Sequence, residues 1–259
     1  MSLNPKINDW HRKRIWIVGA SSGIGHALAQ QLLKNGALVA ISARNADSLN
    51  ELASGYRDQS LALPLDATDE AGWKTAYAAI TTHWQGLDLF VYCAADYQPV
   101  RAWELDSQNA GKMVEVNLMG AIRGVATVLP DMLRNNQGSI SMIASVAGYM
   151  GLPKSLIYGP TKAAMINFAE GLYLDLHDKG IGVSVINPGF VDTPLTKTND
   201  FAMPALLTPD AAAAEIISGL EKGEFEIHFP KRFTRWLRVV RRLPYPIRFR
   251  ILAEVAKKS

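Results

Sequence analysis

Ile15-Trp16-Ile17-Val18 is a short apolar run that ends at a glycine, and Gly19-Ala20-Ser21-Ser22-Gly23-Ile24-Gly25 then opens onto Ala27, Leu28, Leu32 and Leu33 at helical spacing. Such a run reads as a buried parallel strand entering a glycine turn and a helix. Parallel strands need crossover connections, so this stretch points the chain towards alternating strands and helices. The same arrangement brings a helix N-terminus and bare backbone amides to one place, where a pyrophosphate is held. Gly19, Ser21, Ser22, Gly23, Ile24 and Gly25 are therefore read as a dinucleotide cradle. A plain tight turn would account for one glycine better than for three.

The rhythm continues. Residues 38–42, 61–65, 87–93, 138–145, 182–186 and 225–229 read as further strands, with helical patterns over 70–84, about 107–134 and the stretch from Tyr158 onward. The expected fold is a single-domain, Rossmann-type, doubly wound α/β parallel sheet of about seven strands over residues 1–230. A basic extension of amphipathic helices follows over 231–259. With 48% hydrophobic and 20% charged residues, the composition is that of a globular protein. One cysteine, Cys93, excludes an internal disulfide framework, and the five histidines show no metal-ligand spacing, so no metal is expected. No apolar signal segment opens the chain and no run of 18 apolar residues interrupts it, so a cytoplasmic protein is expected.

Three positions speak to the cofactor. The strand over 38–42 ends in Ala43-Arg44-Asn45, where an acid would receive the ribose hydroxyls of NAD and an arginine accommodates a 2′-phosphate. Arg44 therefore favours NADP(H), with a solvated surface arginine as the alternative. Ala94, in a small-residue continuation of the fourth strand, permits close approach of a cofactor. Asp66, closing the third strand, is read either as a neighbour of the adenine or as the cap of the next helix.

Tyr158 and Lys162 stand four apart, so a helix presents both on one face, and an ammonium beside a phenol favours phenolate and proton exchange. Ser145 ends a strand, where open α/β sheets place their chemistry, and precedes Tyr158 by 13 residues. Asn117 is a polar amide in an apolar helical stretch and needs partners.

With these pieces in order, residues 12 to 230 resemble the short-chain dehydrogenase/reductase family. The resemblance implies an oxidoreductase that moves a hydride between nicotinamide and a carbonyl or secondary alcohol. It implies Tyr158 as proton donor or acceptor and Ser145 as the group that orients the substrate oxygen. Lys162 would lower the tyrosine pKa and bind nicotinamide-ribose hydroxyls, Asn117 would hold a water that links the lysine to solvent, and Pro188, Gly189 and Thr193 would lie beside the nicotinamide. A homodimer or other homo-oligomer is also implied. Three departures stand out: Cys93-Ala94-Ala95 where the family commonly has Asn-Ala-Gly; Pro160 between Tyr158 and Lys162, which requires the helix to begin near Leu156 or Ile157 unless it bends; and a basic stretch over 231–259 in place of the glycine-rich finish of many tetrameric members. A non-catalytic NADP(H)-binding sensor or scaffold is the rival reading, though such a protein need keep neither Tyr158 nor Ser145.

Substrate choice is expected from the loops over 97–105 and 146–156 and from a flap over 195–207. Trp103, Tyr149, Met150, Leu152, Phe201 and Met203 there suggest a hydrophobic pocket. The extension carries ten Lys/Arg against one acid, Glu254, and places Phe233, Trp236, Leu237, Val240 and Leu243 on one helical face. That pattern suits a peripheral anchor on the inner face of a membrane, and equally a cover for the enzyme's own core or a dimer partner. Nucleic acid is not expected as a partner.

Overall fold

In the computed structural model, which describes residues 2–199 and 203–257, seven parallel strands form one sheet. They are β1 (Arg14–Val18), β2 (Leu38–Ser42), β3 (Ser60–Ala62), β4 (Leu89–Tyr92), β5 (Gly138–Ile143), β6 (Ile181–Pro188) and β7 (Glu226–Phe229), in the order β3-β2-β1-β4-β5-β6-β7. The connecting helices are α1 (Gly23–Lys34), α2 (Ala46–Ser54), α3 (Glu70–Trp84), α4 (Ser107–Val114), α5 (Gly120–Asn135), α6 (Tyr158–Leu176) and α7 (Pro209–Glu221), followed by α8 (Lys231–Arg242) and α9 (Tyr245–Lys257).

Alternation along β1 explains the layers. Ile15 and Ile17 face one core with Leu28 and Leu32 of α1 and Ile216 of α7. Trp16 and Val18 face the other, with Trp73 of α3, Val125 of α5 and Met165 of α6. Both faces of the sheet are therefore dry, as an all-parallel sheet requires. The strand order reverses between β1 and β4, and such a switch point leaves a crevice at the carboxyl ends of the strands.

The boundaries differ from the sequence reading in instructive ways. The third strand is shorter than 61–65, yet the backbone still runs along β2: the Leu63 and Leu65 amides donate to the carbonyls of Ile41 and Ala43. Pro64, which has no amide to donate, falls where the chain faces away from β2. The long helix expected over 107–134 is interrupted by one π-helical turn, Glu115–Met119, with Asn117 at its centre. α6 begins at Tyr158, so Pro160 lies in the first turn, where its missing amide would have had no partner in the helix. Thr208 caps α7, its hydroxyl accepting from the Ala211 amide at 3.2 Å, with Pro209 as the first helical residue.

The apolar face expected in the extension is divided. Thr234, Leu237 and Val240 of α8 are buried, and Leu237 packs on Val146 and Tyr149 beside Phe233 and Met150. Trp236, Val239, Tyr245, Ile247 and Phe249 remain exposed, Tyr245 by 64%.

Candidate active site

A cleft of about 680 Å³ occupies the crevice between the carboxyl ends of β1 and β4. Gly19, Ser21, Ser22, Gly23, Ile24, Arg44, Asp66, Ala94, Ser145, Tyr158, Lys162, Pro188, Gly189 and Thr193 all line it. Gly25 and Asn117 do not reach the surface of the cleft. They build its wall from behind.

At the first end the turn after β1 is drawn tight. Gly19 adopts φ +96°, and a Cβ there would overlap the Ala94 amide nitrogen; a Cβ on Gly25 would overlap the Gly19 carbonyl oxygen. Lacking side chains, the two glycines let β1, α1 and the end of β4 close upon one another, and the N-terminus of α1 meets the cleft at Gly23 and Ile24. The Gly25 amide donates to the Cys93 thiol, whose titration burial nevertheless pushes up to about 11. Arg44 lies exposed at the rim at the end of β2, with Asn45 beside it. Asp66 Oδ1 accepts from the Thr68 amide at 2.9 Å and the Thr68 hydroxyl at 2.8 Å. Those bonds, with Arg44, hold its carboxyl below the usual range against the opposing effect of burial. The cap of α3 is Asp69, whose carboxylate accepts from the Ala71 amide, so Asp66 is not that cap.

At the second end Ser145, Tyr158 and Lys162 converge. The Ser145 hydroxyl accepts from the Ala147 amide at 3.1 Å and hydrogen-bonds the Tyr158 phenol. Lys162 is 1% exposed; its Nζ donates to the Ile143 carbonyl at 2.8 Å and lies 5.5 Å from the centre of the Tyr158 ring. Asn117 braces this end from behind. Its Nδ2 donates to the Asp96 carbonyl (2.9 Å) and the Thr161 hydroxyl (3.0 Å), and its Oδ1 accepts from the Asp96 amide (2.7 Å). The π-helical turn aims that amide across at α6, a placement that such turns often provide at functional sites.

Burial pushes the Tyr158 phenol above its ordinary value, and the Ser145 hydrogen bond only partly opposes this. Burial acts on Lys162 as well and pushes its ammonium down to about 8.

The substrate side also differs from expectation. Tyr149 is 5% exposed and packs with Met150 against α8, away from the cleft; Trp103 is 80% exposed and pairs with Arg101. Leu152 does not line the cleft either, and Phe201 lies outside the described residues. The residue that sequence reasoning passed over is Tyr97. Its ring meets Tyr158 edge-on at 4.9 Å, and its hydroxyl donates to Asn199 Oδ1 at 2.7 Å, tying the loop after β4 to the segment following Thr193. Only its place in a loop already named for substrate contact hinted at this. The base of the expected flap is stitched rather than free, with the Asp192 amide on the Leu207 carbonyl and the Leu207 amide on Phe190.

The arrangement offers a phenol and a hydroxyl side by side, with a buried ammonium beneath them, in a cleft that also takes in the glycine turn after β1. Comparison with known proteins identifies the family. The family model described as short chain dehydrogenase matches residues 13–203. An uncharacterized oxidoreductase of Myxococcus xanthus is 32% identical over 238 residues, covering 89% of this chain and 92% of that protein. Another from Staphylococcus epidermidis is 31% identical over 71% of this chain and 80% of its own length. Among solved structures, ElxO with NADP bound superposes with a TM-score of 0.75 at 26% identity, covering 84% of this chain and 97% of that one. A short-chain dehydrogenase from Streptomyces avermitilis gives 0.81 at 23% identity over 95% of this chain and 96% of its own. This chain is an oxidoreductase that belongs to the short-chain dehydrogenase family.

Proposed function

We propose that the enzyme transfers a hydride between NADP(H) and the carbonyl or secondary alcohol of a hydrophobic small molecule, with Tyr158 as general acid/base. The observation that carries this is the meeting of Ser145, Tyr158 and Lys162 at one end of a cleft whose other end has a glycine cradle and Arg44. The cradle fits a dinucleotide, since Gly19 and Gly25, lacking side chains, let β1, α1 and the end of β4 pack closely and bring the N-terminus of α1 to the cleft. When bound, the nicotinamide supplies or accepts the hydride. The protein's own residues do the rest. Ser145 orients the substrate oxygen, Tyr158 gives it a proton or takes one, and Lys162 holds the ribose hydroxyls beside them. Asn117 keeps α6 in register with the loop after β4 and holds the water through which the lysine reaches solvent. Pro188, Gly189 and Thr193 form the opposite wall, while Ala94, Ala95, Ile143 and Leu195 give the cleft its apolar surface.

Preference for NADP(H) rests on Arg44, with an acid absent from the end of β2, and the NADP-bound relative ElxO supports it. A guanidinium on a 2′-phosphate is a charge-assisted bond worth about 1.5–3 kcal/mol. Arg44→Ala is therefore expected to weaken NADPH binding about 10- to 100-fold and to leave NADH within about threefold. Titrating both cofactors by fluorescence, alongside their oxidation with a panel of hydrophobic ketones, checks this. Equal losses for both cofactors would refute the assignment.

The same reading includes an anionic lipid surface as partner and a location on the inner, cytoplasmic face of a membrane. Trp236, Val239, Tyr245, Ile247 and Phe249 are exposed among Arg232, Arg235, Arg241, Arg242 and Arg250. Each basic residue near such a surface contributes about 1 kcal/mol, so the attraction fades with salt. Vesicle flotation is expected to recover the protein with anionic lipid at low salt and to lose it at high salt or on neutral lipid. A homodimer without lipid is part of this reading too, and light scattering of the same sample measures it. Protein that stays at the bottom of every gradient would remove the membrane from the account.

A further inference from the structure

The turn that follows Ser145 and the strand that leads into Pro188 are joined through a single carboxylate. Glu226, the first residue of β7, accepts at Oε1 from the Tyr149 hydroxyl (2.5 Å) and from Asn187 Nδ2 (2.9 Å), and its Oε2 pairs with the Arg238 guanidinium of α8. Arg238 also lies over the Tyr149 ring at 5.8 Å. These are not remote structural contacts. Asn187 is fully buried and directly precedes Pro188 and Gly189, which line one wall of the cleft. Tyr149 ends the short turn Val146–Gly148 that begins at Ser145, held by Gly148 amide to Ser145 carbonyl (2.9 Å) and Tyr149 amide to Val146 carbonyl (3.1 Å). Gly148 in turn abuts the backbone of Lys162 so closely that a Cβ would come within 2.7 Å of it. Movement of Tyr149 therefore reaches Ser145 and Lys162 through bonded and packed atoms, and movement of Asn187 reaches Pro188 and Gly189.

We propose that Glu226 and Arg238 are positioning residues that set the distance between the Ser145 turn and the Pro188–Gly189 wall. Helix α8 is thus a structural part of the catalytic unit. The inference rests on the reductase reading above, because those two walls are where substrate oxygen and nicotinamide are to meet. A carboxylate suits this role because it keeps its charge at neutral pH. Burial raises its titration, but Arg238, Tyr149 and Asn187 together bring it below the usual range.

The test compares Glu226→Gln, Arg238→Met, Arg238→Lys and Tyr149→Phe with the wild type, well below each melting temperature. The measurements are kcat and KM with NADPH and the best ketone of the panel, and the fluorescence emission of bound NADPH. Since misplacement by about 1 Å can cost 10²-fold in rate, Glu226→Gln and Arg238→Met are expected to lower kcat about 10-fold or more. KM for NADPH is expected to stay within about threefold, the emission to shift, and Arg238→Lys to recover most of the rate. Tyr149→Phe, which leaves the ion pair in place, gives a smaller loss of the same kind should Glu226→Gln not fold. Variants that melt earlier but keep wild-type kcat and wild-type emission would overturn the proposal and leave the cluster a plain structural tie. A wild type that binds NADPH yet turns over no ketone would count against the reductase reading instead, and the emission of bound NADPH would still decide the positioning role.

Discussion

Tyr158→Phe is expected to lower kcat for ketone reduction by about 10² to 10⁴-fold while leaving NADPH affinity within about threefold. The phenol lines the cleft, hydrogen-bonded to Ser145 and met edge-on by Tyr97. Removing its oxygen deletes the proton and little else, since the ring keeps its contacts. The pH dependence follows from burial, which keeps the phenol protonated beyond its ordinary range. Reduction consumes a proton from that form and is expected to hold its rate across neutral pH. Oxidation needs the phenolate, so its rate is expected to climb as pH rises. Steady-state rates in both directions between about pH 6 and 10 check the sign. A mutant that reduces ketones as fast as wild type would remove Tyr158 from the mechanism. A wild type that binds NADPH but turns over nothing on the panel would favour a binding protein.

What the sequence made legible was whatever the backbone alone enforces. A strand buried on both faces must be apolar, so β1 stands out, and a turn that must close on α1 and β4 must lack side chains, so Gly19 and Gly25 stand out too. Tyr158 and Lys162 were legible because the helical repeat fixes their common face. What could not be read depends on which distant residues come together. The π-helical turn at Asn117 changes a hydrogen-bond pattern without changing composition. Tyr149 carries the same apolar signal whether it faces the cleft or α8, and only the fold joins it to Glu226 and Arg238, 77 and 89 residues away in the chain. Proximity of a lysine to Tyr158 is visible in the spacing, whereas the burial of Lys162 is not. In the extension, helical periodicity grouped Trp236 with Leu237, yet only Leu237 meets the turn after Ser145.

Gly25→Ala is expected to weaken NADPH binding by about 30- to 100-fold and to destabilise the fold by about 1–3 kcal/mol, the usual cost of overfilling a packed site. Two effects compete. Gly25 lies in α1, where alanine is intrinsically better than glycine by about 1 kcal/mol. Against this, the new methyl would overlap the Gly19 carbonyl oxygen and press on Cys93 Sγ at 3.2 Å. The first obstacle is backbone and cannot rotate away, so either the glycine turn or α1 must shift, carrying the amides of residues 21–24 out of place. Gly111 supplies the contrast. It is helical and exposed, and a Cβ there meets nothing within 4 Å, so Gly111→Ala keeps the propensity gain and is expected to stabilise by about 0.5–1 kcal/mol with NADPH binding unchanged. Thermal melts and fluorescence titrations of the pair separate the two contributions. If Gly25→Ala behaved like Gly111→Ala, the close approach of α1 to the end of β1 would not be what shapes the cofactor cradle.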